Sequence, residues 1–218
     1  MPGRTIAIGD IHGHARALAG LLRAIAPGPE DTIVTLGDYI DRGPDSRGAI
    51  EILLDLRRNR TLVPLLGNHE EMLLDVLDGL DDDEFWRTVA GGDATLLSYG
   101  CKHAAKIDPR HIEFIRGCVL WHETEHHFFV HASYDETLPL EEQPREVLIW
   151  ERIRDRQPGR HRSGKTAVVG HTAQKDGQIL RLPHLLCIDT YLYGGGFLTA
   201  YDVGADRFLR VNETGELV

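Results

Sequence analysis

Cysteine is scarce in this chain. Cys101, Cys118 and Cys187 are the three present, an odd number with no CxxC pair among them. That excludes a disulfide framework and fits reduced thiols in a cytoplasmic protein. Long apolar runs are missing too. The first ten residues offer only Ile6-Ala7-Ile8, too short for a signal peptide or a membrane span. Basic residues are outnumbered, 24 Lys and Arg against 34 Asp and Glu, for a net charge of -10. A sequence-independent nucleic-acid binder carries the opposite balance. The sequence also has no internal repeat and no low-complexity linker.

What is present is ordinary globular material: 42% hydrophobic and 27% charged residues in 218, with 23 glycines for tight turns. That length suits one domain, or one domain with an insertion. The first third alternates strand and helix patterns. Strands are expected at Thr5–Ile8, Thr32–Leu36 and Leu62–Leu66. Between them, Leu18, Leu21, Leu22 and Ile25, then Ile50, Leu53 and Leu54, recur at helical spacing. Strand, helix, strand, helix, strand implies a parallel α/β core. Residues 72–118 read as helical, with apolar positions at Leu73, Leu74 and Leu77, at Phe85, Trp86 and Val89, at Leu96 and Leu97, and at Ile112 and Ile115. We read this stretch as a helical cap inserted in a single domain over 1–218. Its acidic run Asp81-Asp82-Asp83-Glu84 is read as a solvated loop and helix N-cap. After residue 118 short strand patterns return, the last at Phe197–Tyr201 and Phe208–Val211, and these are expected to form a second, mixed sheet.

Each of the first three strands runs into a glycine and then a polar residue. The segments are Gly9-Asp10-Ile11-His12-Gly13, Gly37-Asp38-Tyr39-Ile40-Asp41-Arg42-Gly43 and Gly67-Asn68-His69-Glu70. Later, His131 follows Phe128-Phe129-Val130, and His171 follows Val168-Val169-Gly170. In open α/β sheets the ligand crevice lies beyond the carboxyl ends of the strands, so these loops are expected to converge. A lone His or Asp after a strand is more often structural or a cap. Five such ends in one chain point instead to a metal site. Mixed imidazole and carboxylate ligands suit Mn, Fe or Zn with open positions. Two such ions about 4 Å apart can share a bridging ligand and clamp a phosphate, and Asp38, on the middle strand, is placed to bridge.

These blocks, in this order and across nearly the whole chain, resemble the phosphoprotein phosphatase family of metallophosphoesterases, in particular its small bacterial and bacteriophage lambda type members. The resemblance implies a calcineurin-like sandwich of two mixed sheets flanked by helices. It implies two divalent ions, with Mn the expected activator and Fe or Zn as alternatives. It assigns Asp10 and His12 to the first ion, Asp38 to both, and Asn68, His131 and His171 to the second. His69 would protonate the leaving oxygen, held in orientation by Asp41. Arg42 and Arg152 would grip the phosphate. Ser133 and Ala173 depart from the family, which often has Gly and Pro there; neither change removes a ligand. The implied substrate is a phosphoprotein or phosphopeptide, at phosphoserine, phosphothreonine or phosphotyrosine, with neither nucleic acid nor membrane as partner. The alternatives are symmetrical hydrolysis of diadenosine tetraphosphate and, from a different class, a silent adaptor that keeps the fold.

Two other motifs lead elsewhere. Gly159 to Thr166 fits the P-loop pattern but runs into a strand instead of opening a helix. A cysteine-based phosphatase needs an arginine six residues after its nucleophile; the residues found there are Ile107, Thr124 and Tyr193. The eight histidines outside the site, His14, His103, His111, His122, His126, His127, His161 and His184, are read mostly as surface or loop residues.

Overall fold

The computed structural model describes residues 3–218. Its first elements follow the sequence pattern closely: β1 Thr5–Ile8, α1 Ala15–Ile25, β2 Thr32–Thr35, α2 Ser46–Asn59 and β3 Thr61–Pro64. Asp45 caps α2, its carboxylate accepting the Gly48 N–H at 2.8 Å. The stretch that follows is helical, with α3 Asn68–Asp78, α4 Asp83–Thr88, α5 Gly92–Tyr99 and α6 Pro109–Arg116. The acidic run does serve as a cap, since Asp82 accepts the Glu84 N–H at 2.9 Å. Next come β4 Trp121–Glu123, β5 His127–Val130, α7 Arg145–Trp150, β6 Thr166–Val169, β7 Leu180–Leu182, β8 Leu185–Cys187, β9 Asp189–Thr190, β10 Phe197–Asp202 and β11 Arg207–Val211. The P-loop-like segment is a loop leading into β6, with no helix after it.

Two mixed sheets result. One runs β11-β10-β1-β2-β3, with β9 paired to β10; the other runs β4-β5-β6-β8-β7. This corrects the expectation that every strand after residue 118 belongs to the second sheet. β10 lies antiparallel on β1, with Ala7 opposite Tyr201, and β11 extends from β10. The physical reason is edge satisfaction: β1 pairs with β2 on one side only, and β10 closes the ladder on the other. Periodicity reveals a strand but not its partner.

Side chains alternate across both sheets. Ala7, Val34, Phe129, Val168 and Leu186 point between the sheets and form the inner core with Leu36, Leu65, Ile188 and Tyr201. Their neighbours Ile6, Ile8, Ile33, Phe128, Val130, Ala167, Val169, Leu185 and Cys187 point outward into the larger core shared with the helices. Both faces are apolar because both are covered. Burying each large side chain contributes roughly 1.5–3 kcal/mol.

Three histidines read as surface or loop residues are buried: His14, His111 and His161. Each has found a polar partner. His14 Nδ1 lies 2.7 Å from the His12 carbonyl, His111 Nδ1 2.5 Å from the Tyr99 hydroxyl, and His161 Nε2 2.8 Å from the Leu138 carbonyl.

Candidate metal centre

Register brings the strand ends to one edge. Ile8 lies beside Thr35, and Thr35 beside Pro64. Asp10, Asp38 and Asn68 follow within a few residues on adjacent strands. In the second sheet Phe129 lies beside Val168, so His131 and His171 emerge together. The loops between are conformationally strained. Among the described residues eight other than glycine have positive φ, and five of them are site residues: His12, Asp38, Asp41, Arg42 and His171. Such conformations cost on the order of 1–3 kcal/mol each and persist only where the surroundings enforce them. Gly37, with φ of 101°, allows the close approach of the next loop: a Cβ there would meet the Gly67 nitrogen at 2.7 Å and His131 Nδ1 at 2.8 Å.

Three imidazoles present a lone pair toward the surroundings of Asp38. His12 Nδ1 lies 3.1 Å from the Ile40 carbonyl, His131 Nδ1 2.7 Å from the Leu36 carbonyl, and His171 Nε2 3.0 Å from the Trp150 carbonyl. A carbonyl only accepts, so each of those nitrogens carries the hydrogen, and the other nitrogen faces inward unprotonated. Burial lowers the pKa of all three, His171 to about 3, with His131 adding to the effect there.

Oxygens meet these nitrogens. Asp38 Oδ2 lies 3.4 Å from His12 Nε2, and its Oδ1 3.3 Å from His131 Nε2. Asn68 Oδ1 lies 3.1 Å from His131 Nε2 and 2.9 Å from His171 Nδ1. Burial opposes ionisation of Asp38, and positive charge on His131, His69, His12 or His171 would favour it. Asp10 accepts the His171 N–H at 2.9 Å through Oδ2, while its buried Oδ1 has no hydrogen-bond partner. Burial, then Asp189 and Asp38, push the Asp10 carboxyl well above its usual range. Imidazole nitrogens, a carboxylate and an amide oxygen drawn together, with an orphaned buried carboxylate oxygen beside them, are what a site for divalent cations requires. The residues present fit two such ions.

Donor atoms of His12, Asp38 and His69 lie within 4.8 Å of one another, as do those of Asp38, His131 and His171. Asp38 is common to both sets. Asp10 stands outside them, and His69 takes its place in the first. Yet His69 has a tie the other histidines lack: its Nδ1 lies 2.7 Å from Asp41 Oδ2, with both side chains buried. Arg42 Nη1 lies 2.8 Å from His12 Nε2, and its guanidinium sits 4.1 Å over the Tyr193 ring. Arg152 lines the same cavity of about 170 Å³ as Asp38, Arg42, Asn68, His69 and His171.

The sequence-predicted residues are thus gathered in one place. Others were missed. Arg154, Lys175 and Tyr193 also line the cavity. Glu70 receives four backbone N–H groups of the strained loops. Asp189 is buried beside Asp10, its carboxyl pushed up to about 6 by burial, against the Tyr191 N–H, with Asp38 adding to the rise. Asp189 follows the strand pattern Leu185–Ile188, so the rule that found the other sites applies to it as well.

The family profile of the calcineurin-like phosphoesterases matches residues 3–199. The chain belongs to that family. Among curated relatives of these phosphoesterases, serine/threonine-protein phosphatase 1 of Salmonella typhimurium is 33% identical over 133 residues, 58% of this chain and 57% of that protein. The symmetrical bis(5'-nucleosyl)-tetraphosphatase of Pectobacterium atrosepticum is 38% identical over 77 residues, 35% of this chain and 27% of that protein. The matches thus span little more than half of the first relative's length and less of the second. Among solved structures, a candidate diadenosine tetraphosphatase superposes with a TM-score of 0.75 at 24% identity, covering 97% of this chain and 95% of that one. A cold-active protein-tyrosine phosphatase of a psychrophilic Shewanella gives 0.71 at 16% identity, covering 100% and 80%. At such identities the likeness shows the shared fold. Among the described residues no helix is long and apolar enough to cross a membrane.

Proposed function

We propose that this phosphoesterase is a binuclear-metal phosphomonoesterase acting on phosphoserine and phosphothreonine in proteins, with phosphotyrosine as an extension. The observation that carries the two-metal part is Asp38, whose two oxygens reach opposite sides, one toward His12 and one toward His131. Asp10, His12 and Asp38 would hold one ion; Asp38, Asn68, His131 and His171 the other. Such ions, Mn foremost with Fe or Zn as alternatives, lower the pKa of water and neutralise charge on a phosphoryl group.

The chain's own groups do the rest. Arg42 and Arg152 face the cavity that holds Asp38, and their forked donors suit phosphoryl oxygens. Tyr193 keeps the Arg42 guanidinium over the cavity. Asp41 takes the His69 Nδ1 hydrogen, which leaves Nε2 to carry a proton to the departing alkoxide. The phosphoprotein assignment draws on the Salmonella relative, which is named for that activity.

A second reading has its own support. Arg154 and Lys175 add positive charge at the cavity, suited to further phosphates of a dinucleotide, and the Pectobacterium relative is named for such hydrolysis. Phosphate release by metal-stripped protein, with and without Mn, from a phosphothreonine peptide and from diadenosine tetraphosphate decides between them. Mn-dependent release from the peptide alone supports the proposal. Cleavage of the dinucleotide alone replaces the substrate and keeps the site. Release from neither favours an adaptor. Parallel titrations with Fe and Zn test the choice of ion.

A further inference from the structure

Asp41 is bonded by more than His69. Trp86 Nε1 donates to Asp41 Oδ2 at 3.0 Å, the same oxygen that faces His69 Nδ1. The Thr95 hydroxyl donates to Asp41 Oδ1 at 2.7 Å. It also accepts the Asp41 N–H at 2.9 Å, and Ser46 Oγ lies 2.9 Å from it. Trp86, Thr95 and Asp41 are all buried. Both donors come from α4 and α5, some 45 and 54 residues along the chain from the carboxylate they hold. The connection between those helices is moulded to the same loop. The Gly91 carbonyl accepts the Arg42 N–H at 3.2 Å, and a Cβ on Gly92 would strike the Trp86 indole at 2.4 Å.

We propose that Trp86 and Thr95 are positioning residues for proton delivery, through which the α4–α5 segment sets the orientation of the Asp41–His69 pair. This rests on the reading of His69 as the group that protonates the leaving oxygen. The physical case is one of valence and geometry. Burial pushes the Asp41 carboxyl upward, while the bonds from His69, Thr95 and Trp86 oppose that. With Oδ1 anchored by Thr95 and Oδ2 shared by Trp86 and His69, the carboxylate has one rotamer and the imidazole one plane. Without the indole N–H, Oδ2 keeps the imidazole but loses its second anchor, and the orientation of the carboxylate rests on Thr95 and on the imidazole it is meant to hold. A proton donor displaced by a fraction of an ångström loses much of its effect. Nothing in this role touches phosphate or ion, so its loss is confined to the proton-transfer step.

That confinement makes the proposal testable by leaving group. A threonine alkoxide needs its proton; 2,4-dinitrophenolate leaves without one. In Mn-loaded enzyme, Trp86→Phe and the near-isosteric Thr95→Val are expected to lower kcat for a phosphothreonine peptide about tenfold, the scale on which outer groups that orient a site act. KM and metal content should hold, kcat for 2,4-dinitrophenyl phosphate should change less than twofold, and Thr95→Ser should restore the peptide rate. Equal loss on both substrates, or no loss on either, overturns the proposal. His69→Asn is measured alongside. If it shows no preference between leaving groups, the reading of His69 itself fails. If it does and the Trp86 and Thr95 variants do not, only the positioning role fails. Thr95→Val keeps the test in force should Trp86→Phe fold poorly.

Discussion

Glu70 holds Asp38 from behind. Its Oε2 accepts the Asp38 N–H at 2.8 Å, and its Oε1 accepts those of Tyr39 at 2.7 Å and Ile40 at 3.2 Å. The Gly67 N–H, at 3.2 Å from Oε2, ties in the next loop. One fully buried carboxylate thus fastens the turn on which Asp38 takes a φ of 50°. Glu70→Gln exchanges an acceptor oxygen for an NH2 donor that faces backbone N–H groups. Its expected cost is about 1–3 kcal/mol of stability, the range for a buried group left unsatisfied. Metal affinity should fall on the order of 10–100-fold, as for other groups that support ligands. Urea unfolding with and without Mn measures both. Wild-type affinity in the variant would separate the loop's backbone bonds from the metal site.

Asp38 and His69 are predicted to fail differently. Asp38→Asn weakens a ligand shared by both sets of donors, so metal content and activity should fall together. His69→Asn should cost turnover on the order of a hundredfold or more, the usual contribution of a general acid, while metal content holds. Metal analysis of both variants after gel filtration checks this. Equal loss of metal would make His69 a ligand, as its closeness to His12 and Asp38 allows.

How much of this was legible beforehand follows from the range of each interaction. Asp10, Asp38, Asn68, His131 and His171 could be found because a strand pattern and the polar residue after it are neighbours in sequence. Fold class followed for the same reason. The pairing of β10 with β1 was not legible, since nothing local in Phe197–Asp202 names its partner. Trp86 and Thr95 look like core residues of amphipathic helices, and their polar atoms gain meaning only against Asp41. Tyr193 precedes the run Gly194-Gly195-Gly196, which marks a turn in the sequence but does not reveal that the Tyr193 ring packs on Arg42 and His12.

Arg42 is predicted to act on phosphate alone. Arg42→Ala should raise KM or lower kcat, with a combined loss of about 2.7–4 kcal/mol in kcat/KM, the scale for removing one charge-stabilising donor, and leave metal content intact. Tyr193→Leu removes the ring but no charge, so a smaller loss is expected, about 0.5–1 kcal/mol as for an exposed cation–π contact. Steady-state kinetics of both variants with the phosphothreonine peptide check the order. Unchanged kinetics in Arg42→Ala would remove it from the phosphate clamp.

The metal-free protein should be less stable because of Asp10. Its carboxyl is buried beside Asp189 and Asp38 with one oxygen unpartnered, a costly place for a charge without a cation. Asp10→Asn is therefore predicted to raise the Tm of metal-free protein and to abolish most of the gain that Mn confers on the wild type. That gain should be about 2.7 kcal/mol at a metal concentration a hundred times Kd, or on the order of 5–10 °C for a chain of this size. The pH dependence has a definite sign. Asp10 and Asp189 have folded-state pKa values raised above the unfolded ones, Asp189 to about 6. They favour the folded state below the ordinary carboxylate pKa, and that contribution is lost as pH rises through the raised values. Metal-free wild type should lose stability relative to Asp10→Asn as pH rises from about 4, the ordinary aspartate value, through the raised ones, and saturating Mn should reverse the order. Thermal melts of both proteins across that range, with and without Mn, test it; a metal-free wild type that stays the more stable at pH 7 would show that the carboxylate is compensated from within the chain.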